Sequence, residues 1–125
     1  MTATAGSSGG PAQSPDEIFR LFVVRVNTRD LDGLMELFER GVTMVLGPGQ
    51  PTEGSDAVRD GLAGILATNP TFSADGQRPS VVSGDIALTS AVLAPGMVTA
   101  EVARRQPDGS WKCVIDNPDF LPKEG

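Results

Sequence analysis

The feature of this chain that most constrains its fold is a hairpin signal near its end. Asp108-Gly109 is a dipeptide typical of the tight turn between two antiparallel strands. The alternation after it predicts a strand with two faces, one with Trp111, Cys113 and Ile115 and the other with Lys112, Val114 and Asp116. A carboxylate, Asp116, therefore shares a face with an apolar residue near the end of a strand that we expect to complete a small sheet.

The region before this hairpin also has the pattern of short strands separated by turns. We expect strands over residues 79–82, 86–93, 97–105 and 111–116, because apolar runs there are bounded by turns that contain glycine or proline. Residues 42–46 predict an earlier strand. Residues 47–51, which are glycine, proline and glutamine, predict a loop at the rim of a pocket.

Three helical patterns occupy the first half of the chain. Ser14 begins the first, with the spacing of a capping box. Asp30 begins the second, which we expect to run to Gly41, and Ser55 begins the third, which ends at Asn69. Helices followed by an antiparallel meander indicate an α+β fold in which three N-terminal helices pack on one face of a sheet.

Length and charge narrow the class of protein. The 125 residues suit one domain, which we expect over residues 14–121, with a disordered tail at 1–13 and a short tail at 122–125. The net charge of −6 argues against a nucleic-acid partner, which needs a basic surface. No apolar run approaches the roughly 20 residues that cross a bilayer, so we expect no membrane partner. The single cysteine and the lack of a signal-peptide pattern favour a cytoplasmic protein.

Missing residue types restrict the chemistry further. The chain has no histidine, which excludes Ser-His-Asp and Cys-His catalysis within it, and one cysteine, which argues against a zinc site. It has no tyrosine and no glycine-rich phosphate-binding motif. We therefore expect no metal and no cofactor, and any proton chemistry must use Asp, Glu, Lys or Arg.

A family resemblance extends over roughly residues 15–120. It is carried by the strings Thr28-Arg29-Asp30-Leu31-Asp32-Gly33-Leu34-Met35, Gly54-Ser55-Asp56-Ala57-Val58-Arg59 and Asp108-Gly109-Ser110-Trp111. In order and spacing the chain resembles the nuclear transport factor 2-like superfamily, and more narrowly its SnoaL-like and ketosteroid-isomerase-like branches. The resemblance implies a cystatin-like cone, in which three helices wrap a curved mixed or antiparallel sheet around an interior pocket. It also implies a homodimer formed through the outer sheet face.

The resemblance argues against steroid isomerase activity when it is carried over residue by residue. The position that resembles the isomerases' tyrosine donor is Phe22, and the position of their general-base aspartate is Val45, so both groups are apolar in this chain. The position of their second acid falls near Glu101. Polyketide cyclases of the SnoaL type use such an acid, so the resemblance permits acid–base chemistry here.

Glu101 and Asp116 are the candidate catalytic residues. If both point into an apolar pocket, burial and mutual repulsion will raise at least one carboxyl pKa towards neutrality, which makes a carboxyl a usable acid or base. Residues expected on the walls of that pocket are Phe22, Val45, Met97, Thr99 and Val114.

Other roles remain open for both carboxylates. Asp116 has the residue type and position of a turn cap before Asn117-Pro118. Glu101 is equally able to face water or to pair with a nearby cation, of which the candidates are Arg104, Arg105 and Lys112.

Two functions follow as alternatives. The first is a cofactor-free enzyme, isomerase-, cyclase- or hydrolase-like, acting on a small apolar or polyketide-like molecule. The second is a non-catalytic module that binds a ligand or assembles as a dimer, for which the apolar face is expected at Val98, Val102, Trp111, Cys113 and Ile115. Inward carboxylates without basic partners favour the enzyme, whereas carboxylates used in caps and ion pairs favour the module.

Overall fold

The computed structural model describes residues 9–47 and 50–120. Within them lie helices α1 (Pro15–Asn27), α2 (Leu31–Met35) and α3 (Ser55–Ala67). The strands are β1 (Phe38–Gly47), β2 (Gln50–Glu53), β3 (Val81–Ser83), β4 (Ile86–Thr89), β5 (Val92–Ala94), β6 (Met97–Val98), β7 (Ala100–Arg105) and β8 (Trp111–Asn117). This confirms the predicted α+β fold with three helices. None of the helices in the described ranges has the length and apolarity that crossing a membrane requires.

Six strands form one mixed sheet in the order β2-β1-β8-β7-β4-β3, and β5 pairs with β6 in a separate ribbon. Strand β1 runs parallel to β8, while the other neighbours in the large sheet are antiparallel. The strand at the end of the chain therefore lies in the interior of the sheet. The main core lies where the helices cover this sheet and includes Val26, Leu34, Val42, Val58 and Leu62, each at most 2% exposed.

Helix α1 begins as its sequence predicts. The backbone N–H of Glu17 donates to the Ser14 side-chain oxygen at 3.2 Å, and the Glu17 carboxylate accepts from the backbone N–H of Gln13 at 2.6 Å. These bonds satisfy N–H groups that the first turn of a helix leaves free. The cap fixes the start of the helix whose apolar face later forms one wall of the site.

Helix α2 is shorter than predicted, because the expected helical stripe to Phe38 and Gly41 ends at Met35. Phe38 is already a strand residue paired with Cys113, and the backbone N–H of Cys113 donates to the Leu37 carbonyl at 2.8 Å. Pairing with the central strand β8 outweighs the local helical spacing here, as tertiary contacts often do.

Two of the predicted strands are each broken in two. Residues 86–93 divide into β4 and β5, and residues 97–105 divide into β6 and β7. At the break the backbone N–H of Ala91 donates to the Thr99 hydroxyl at 2.9 Å, and the Ser90 hydroxyl donates to the Thr99 carbonyl at 2.7 Å. The hydroxyls of Ser90 and Thr99 thus form hydrogen bonds with backbone groups at the point where the strands leave the large sheet.

The predicted loop over residues 47–51 is wrong in part, because Gly47 belongs to β1 and Gln50 and Pro51 belong to the edge strand β2. Proline is compatible with an edge strand, since one side of such a strand needs no ladder hydrogen bond. Residues 48 and 49 of that predicted loop lie outside the described residues.

The described part of the predicted N-terminal tail, residues 9–13, packs against the domain. Ala12 is fully buried and forms a bridge with Trp111, whose backbone N–H donates to the Ala12 carbonyl at 2.9 Å. Arg25 of α1 is 1% exposed and donates at 2.8 Å to the carbonyls of both Gly10 and Gly33. This buried guanidinium joins the N-terminal segment to the first two helices.

The outer face of the large sheet carries a continuous apolar row. Its members, in register from strand to strand, are Val81, Leu88, Val102 and Ile115. Val81, Leu88 and Ile115 are 66%, 55% and 51% exposed. We call these four residues the outer row.

The predicted composition of the outer face is therefore wrong for three of its five residues. Trp111 and Cys113 are buried on the inner side of the sheet, against the helices and the N-terminal segment, and they are not available to a partner. Val98 is also outside the row, because it lies in the separate β5–β6 ribbon. Only Val102 and Ile115 of the predicted face belong to the outer row.

Candidate functional site

A cavity of about 710 Å³ lies between the helices and the inner face of the sheet. Its apolar lining comes from α1, β1, α3, the β5–β6 ribbon and the loops beside them, and includes four phenylalanines, Phe19, Phe22, Phe38 and Phe72. The polar residues that line it are Thr89, Thr99, Glu101, Asp116, Asn117 and Asp119. This size is within the range of small-molecule sites, which are mostly apolar with a few placed polar groups.

One wall of the cavity is held by a contact between distant parts of the chain. The rings of Phe22 and Phe72 stack with their centroids 6.4 Å apart. Asn27, one turn further along α1, donates to the Phe72 carbonyl and accepts from the Phe72 N–H, both at 2.9 Å. The loop after α3 is thereby fixed to the first helix, and its aromatic side chain is kept on the cavity.

Glu101 lies on β7 directly opposite Asp116 of β8, so the two carboxyls are cross-strand neighbours. Side chains at such positions lie close enough to interact. The Thr89 hydroxyl of β4 donates to the Glu101 carboxylate at 2.7 Å. Burial raises the pKa of Glu101, and hydrogen bonds from Thr99 and Thr89 oppose that rise in part.

Asp116 has no hydrogen-bonding partner for its carboxylate among the described residues. It keeps some accessible surface and lines the cavity. Burial raises its pKa well above the ordinary value, and the neighbouring charge of Glu101 raises it further. A carboxyl that neither hydrogen bonds nor an ion pair stabilise in the charged form will readily hold a proton.

An extra residue in β8 turns Asp116 towards the cavity. Val102 pairs with Ile115 and Ala103 pairs with Cys113, so Val114 has no partner on β7, as in a β-bulge. Cys113 faces the core. With strict alternation from Cys113, Ile115 would face inward and Asp116 would face outward. The bulge resolves this, because Cys113 and Asp116 both line the cavity while Ile115 is half exposed on the outer face.

The structure gathers most of the predicted site residues in one place. Glu101 and Asp116 line the cavity, and so do four of the predicted wall residues, Phe22, Val45, Met97 and Thr99. Val114 is the exception, because it occupies the bulge and is not among the lining residues. The prediction that it shares a pocket face with Asp116 was wrong.

The turn cap and the ion pairs that the sequence left open for Asp116 and Glu101 are formed by other residues. The turn after β8 uses Asn117, whose side-chain oxygen accepts from the backbone N–H of Asp119 at 3.3 Å. The arginines that were candidates to pair with Glu101 are engaged elsewhere: Arg104 with Glu39 and Arg105 with Asp85, both at 2.9 Å. Neither carboxylate is therefore consumed by a cap or an ion pair within the described chain.

Several lining residues were missed by sequence reasoning. Phe19, Phe38, Phe72, Met44 and Cys113 all line the cavity. Helical spacing places Phe19 beside Phe22, at the flank of the apolar stripe, so a wider apolar arc on α1 was the available signal. Nothing local to Phe72 indicates its position, because a long-range pair of hydrogen bonds with Asn27 sets it.

The lining offers no obvious metal site. No group of three or more His, Cys, Asp or Glu side chains in the described ranges is arranged to hold an ion. Cys113 is a fully buried thiol whose pKa is raised well above its usual value, by burial first and then by the charges of Asp116 and Glu101. A thiol in that state is a poor nucleophile and a poor metal ligand.

The sequence matches the family model of the SnoaL-like domain over residues 19–111, which is most of the chain. The chain belongs to the SnoaL-like family. A search of curated proteins found no match.

Solved structures share the fold of this SnoaL-like protein at low identity. One is a candidate calcium/calmodulin-dependent protein kinase type II association domain from Thiobacillus denitrificans, 20% identical, with a TM-score of 0.67 over 87% of this chain and 96% of that one. A second is a candidate dehydratase of the nuclear transport factor 2-like family from Streptomyces avermitilis, 22% identical, with a TM-score of 0.64 over 81% and 88% of the two chains.

A third similar structure is a protein of unknown function with a cystatin-like fold from Nostoc punctiforme, 15% identical, with a TM-score of 0.65 over 86% and 88% of the two chains. At these identities the likeness concerns the fold alone. The likeness confirms the cystatin-like architecture. The chemistry has to be argued from the residues of the site.

Proposed function

We propose that this SnoaL-like protein is a cofactor-free acid–base enzyme that moves a proton on a small, largely apolar molecule held in the cavity. Asp116 and Glu101 are the proton-carrying pair, and Phe22, Val45, Met97 and Thr99 belong to the walls that position the substrate. The observation that carries the proposal is the pair itself, two cross-strand carboxyls on an apolar cavity with no Lys or Arg in its described lining.

The chemistry follows from the electrostatics of the pair. Two neighbouring carboxyls in an apolar setting resist being charged together, so one tends to retain a proton while the other is ionised. One group then acts as general acid and the other as general base near neutral pH. An isomerase- or cyclase-like proton transfer needs both roles within reach of one bound molecule.

Carboxyl-carbon NMR titration of the wild-type protein tests this proposal. We expect at least one resonance, assigned with Asp116→Asn and Glu101→Gln, to titrate well above the reference range of about 3.9–4.3. Each of these substitutions should also shift the titration of the remaining carboxyl towards that range, because the repulsion between the two charges is removed. Asp75→Asn, on an exposed residue, is the matched control and should leave both resonances unchanged.

Turnover gives the second test, once a screen of small, largely apolar molecules identifies a substrate. Asp116→Asn should lower kcat by about 10²–10⁴, the usual contribution of a general acid or base. Carboxyls that both titrate at or below reference would contradict the enzyme and support the non-catalytic alternative.

We also propose that the protein is a homodimer formed through the outer row, which is the assembly role kept from the alternative function. A row of exposed apolar side chains that crosses the sheet can pack against the same row of a second copy across a two-fold axis. Exposed apolar surface of this kind typically marks an interaction site. The cavity lies on the opposite face of the sheet, so assembly leaves it open to a ligand.

A further inference from the structure

Apart from the proton that the carboxyl pair shares, the described lining of the cavity offers hydrogen-bond acceptors and almost no donors. The Thr89 and Thr99 hydroxyls both hydrogen bond to Glu101. The Cys113 thiol donates to the Ile115 carbonyl at 3.2 Å. Among the described lining residues, Asn117 alone keeps side-chain N–H groups that no contact within the chain uses. A ligand that depends on accepting hydrogen bonds finds little to bind.

The same lining carries acids but, among the described residues, no basic side chain. The carboxyls of Glu101 and Asp116 lie on it, while the described lining contains neither Lys nor Arg. Asp116 in particular has no hydrogen-bonding or ion-pair partner there. The chain itself has a net charge of −6, which adds to the attraction for cations and the repulsion of anions.

The walls of the cavity are aromatic as well as apolar. Four of the five phenylalanines of the chain line it: Phe19, Phe22, Phe38 and Phe72. The face of an aromatic ring attracts a cation placed over it, and this attraction grows when water is excluded. Aromatic walls beside a buried carboxyl pair are the two elements by which proteins recognise ammonium groups.

We infer that the natural ligand of this cavity is an apolar molecule bearing one amine, whose ammonium group lies between Asp116 and Glu101 while its hydrocarbon part fills the phenylalanine-lined space. This names the ligand class of the proposed site, and it rests on the proposed function in assigning this cavity as the place where the ligand binds.

The inferred ligand fits the proton chemistry of the pair. A protonated amine that enters the ionised pair and a neutral amine that enters the singly protonated pair give the same complex. The ammonium therefore takes the place of the proton that the two carboxyls otherwise share, and its charge offsets their repulsion.

Amine affinity should depend on pH in a defined direction. As pH rises and the pair loses its shared proton, affinity should increase, until the amine itself is neutralised at about pH 10. The other titratable groups of the described lining are Cys113 and Asp119, from β8 and the turn after it. Helices α1 and α3 and strand β1 contribute only apolar side chains to the described lining.

Calorimetric titration of the 125-residue chain with three matched probes tests the inference. The probes are naphthylmethylamine, naphthalenemethanol and naphthoate. They share one ring system and differ in charge. At pH 7.5 we expect the amine to bind at least about tenfold more tightly than the alcohol, the ratio expected of one charge-assisted hydrogen bond. The naphthoate anion should show no measurable binding. Repeating the amine titration in buffers of different ionisation enthalpy should show release of up to one proton.

Two variants assign the effect to the pair. Asp116→Asn and Glu101→Gln should each weaken amine binding at least about tenfold while changing alcohol binding by less than about twofold. The surface control Asp75→Asn should leave both affinities unchanged. Retained alcohol binding by a variant shows that its cavity is still folded. Two variants are used so that one of them can give this result if the other does not fold.

The inference is overturned if the alcohol or the anion binds as tightly as the amine, if none of the three binds, or if amine affinity is unchanged in both variants. These failures are distinct from failure of the proposed function. A raised carboxyl titration without amine preference removes the ligand class and leaves the enzyme. Amine preference with two ordinary carboxyl titrations removes the enzyme and leaves an amine-binding protein.

Discussion

The two cavity carboxyls are the residues whose proposed function lowers the stability of the folded protein. In the unfolded chain Asp116 titrates near its reference pKa, whereas burial and the charge of Glu101 raise that pKa well above it in the folded protein. A raised folded pKa means that the contribution to stability is fully present below the unfolded pKa. It is lost as pH rises through the folded pKa. Keeping an ionised carboxylate in this cavity therefore costs stability above that pH.

The first prediction concerns this cost. Asp116→Asn removes the charge and supplies an amide that can donate to Glu101, so the free energy of unfolding should rise by about 1 kcal/mol at pH 8. The gain should shrink at pH 4, where the wild-type pair is protonated. Urea unfolding at the two pH values measures the difference, with Asp75→Asn as control. An unchanged pH dependence in Asp116→Asn would show that the carboxyl is not stabilised in its neutral form.

At the scale of elements, helix α1 connects the N-terminal segment to the cavity. Its inner face supplies Phe19 and Phe22 to the site, while Arg25 near its end contacts the Gly10 and Gly33 carbonyls and lies 3.6 Å from the Glu36 carboxylate. The contact with Gly33 is buried and the contact with Gly10 is partly buried, so an acceptor left without its donor there costs about 1–3 kcal/mol. The orientation of the helix, and through it the cavity wall, depends on this one side chain.

We predict that Arg25→Met lowers the free energy of unfolding by about 2–4 kcal/mol, because two carbonyls lose their donor and Glu36 loses its cation. Chemical denaturation measures this loss. Arg20→Met, on an exposed residue of the same helix, is the matched control and should change stability by less than about 0.5 kcal/mol. Equal effects of the two substitutions would show that Arg25 is not a buried anchor.

For the molecule as a whole, the sheet separates two surfaces of different composition. Its inner face carries the acid pair and the cavity, and its outer face carries the exposed outer row. Adjacent residues of β8 supply both, because Asp116 faces inward while Ile115 faces outward. A substitution at Ile115 should therefore change assembly without reaching the cavity directly.

The last prediction is that Ile115→Lys converts a homodimer into a monomer, because a charge on each copy would be buried against the other across the two-fold axis. Light scattering should give twice the 13.0 kDa chain mass for the wild type and the single chain mass for the variant. Val24→Lys, at a 50% exposed valine on helix α1, is the control and should remain dimeric. A monomeric wild type would remove the dimer proposal altogether.

The sequence by itself determined the features that depend on interactions between residues close together in the chain. The cap of α1 at Ser14, the turn at Asp108-Gly109 and the order of helices before strands all follow from local preferences, and together they predict the α+β class. Phe22 and Val45 could also be expected to face an apolar pocket, since apolar side chains leave water wherever the fold allows.

Only the tertiary structure decided which face of β8 carries the acid. Val114, which has no partner on β7, breaks the alternation that the sequence predicts, so that Cys113 and Asp116 both face the cavity. The pairing of β1 with β8 ends α2 early at Met35, and a long-range contact with Asn27 positions Phe72. Local preferences are worth a fraction of a kcal/mol per residue, whereas pairing and burial in the centre of a sheet are worth several times more, so contacts between distant residues set the geometry of the site.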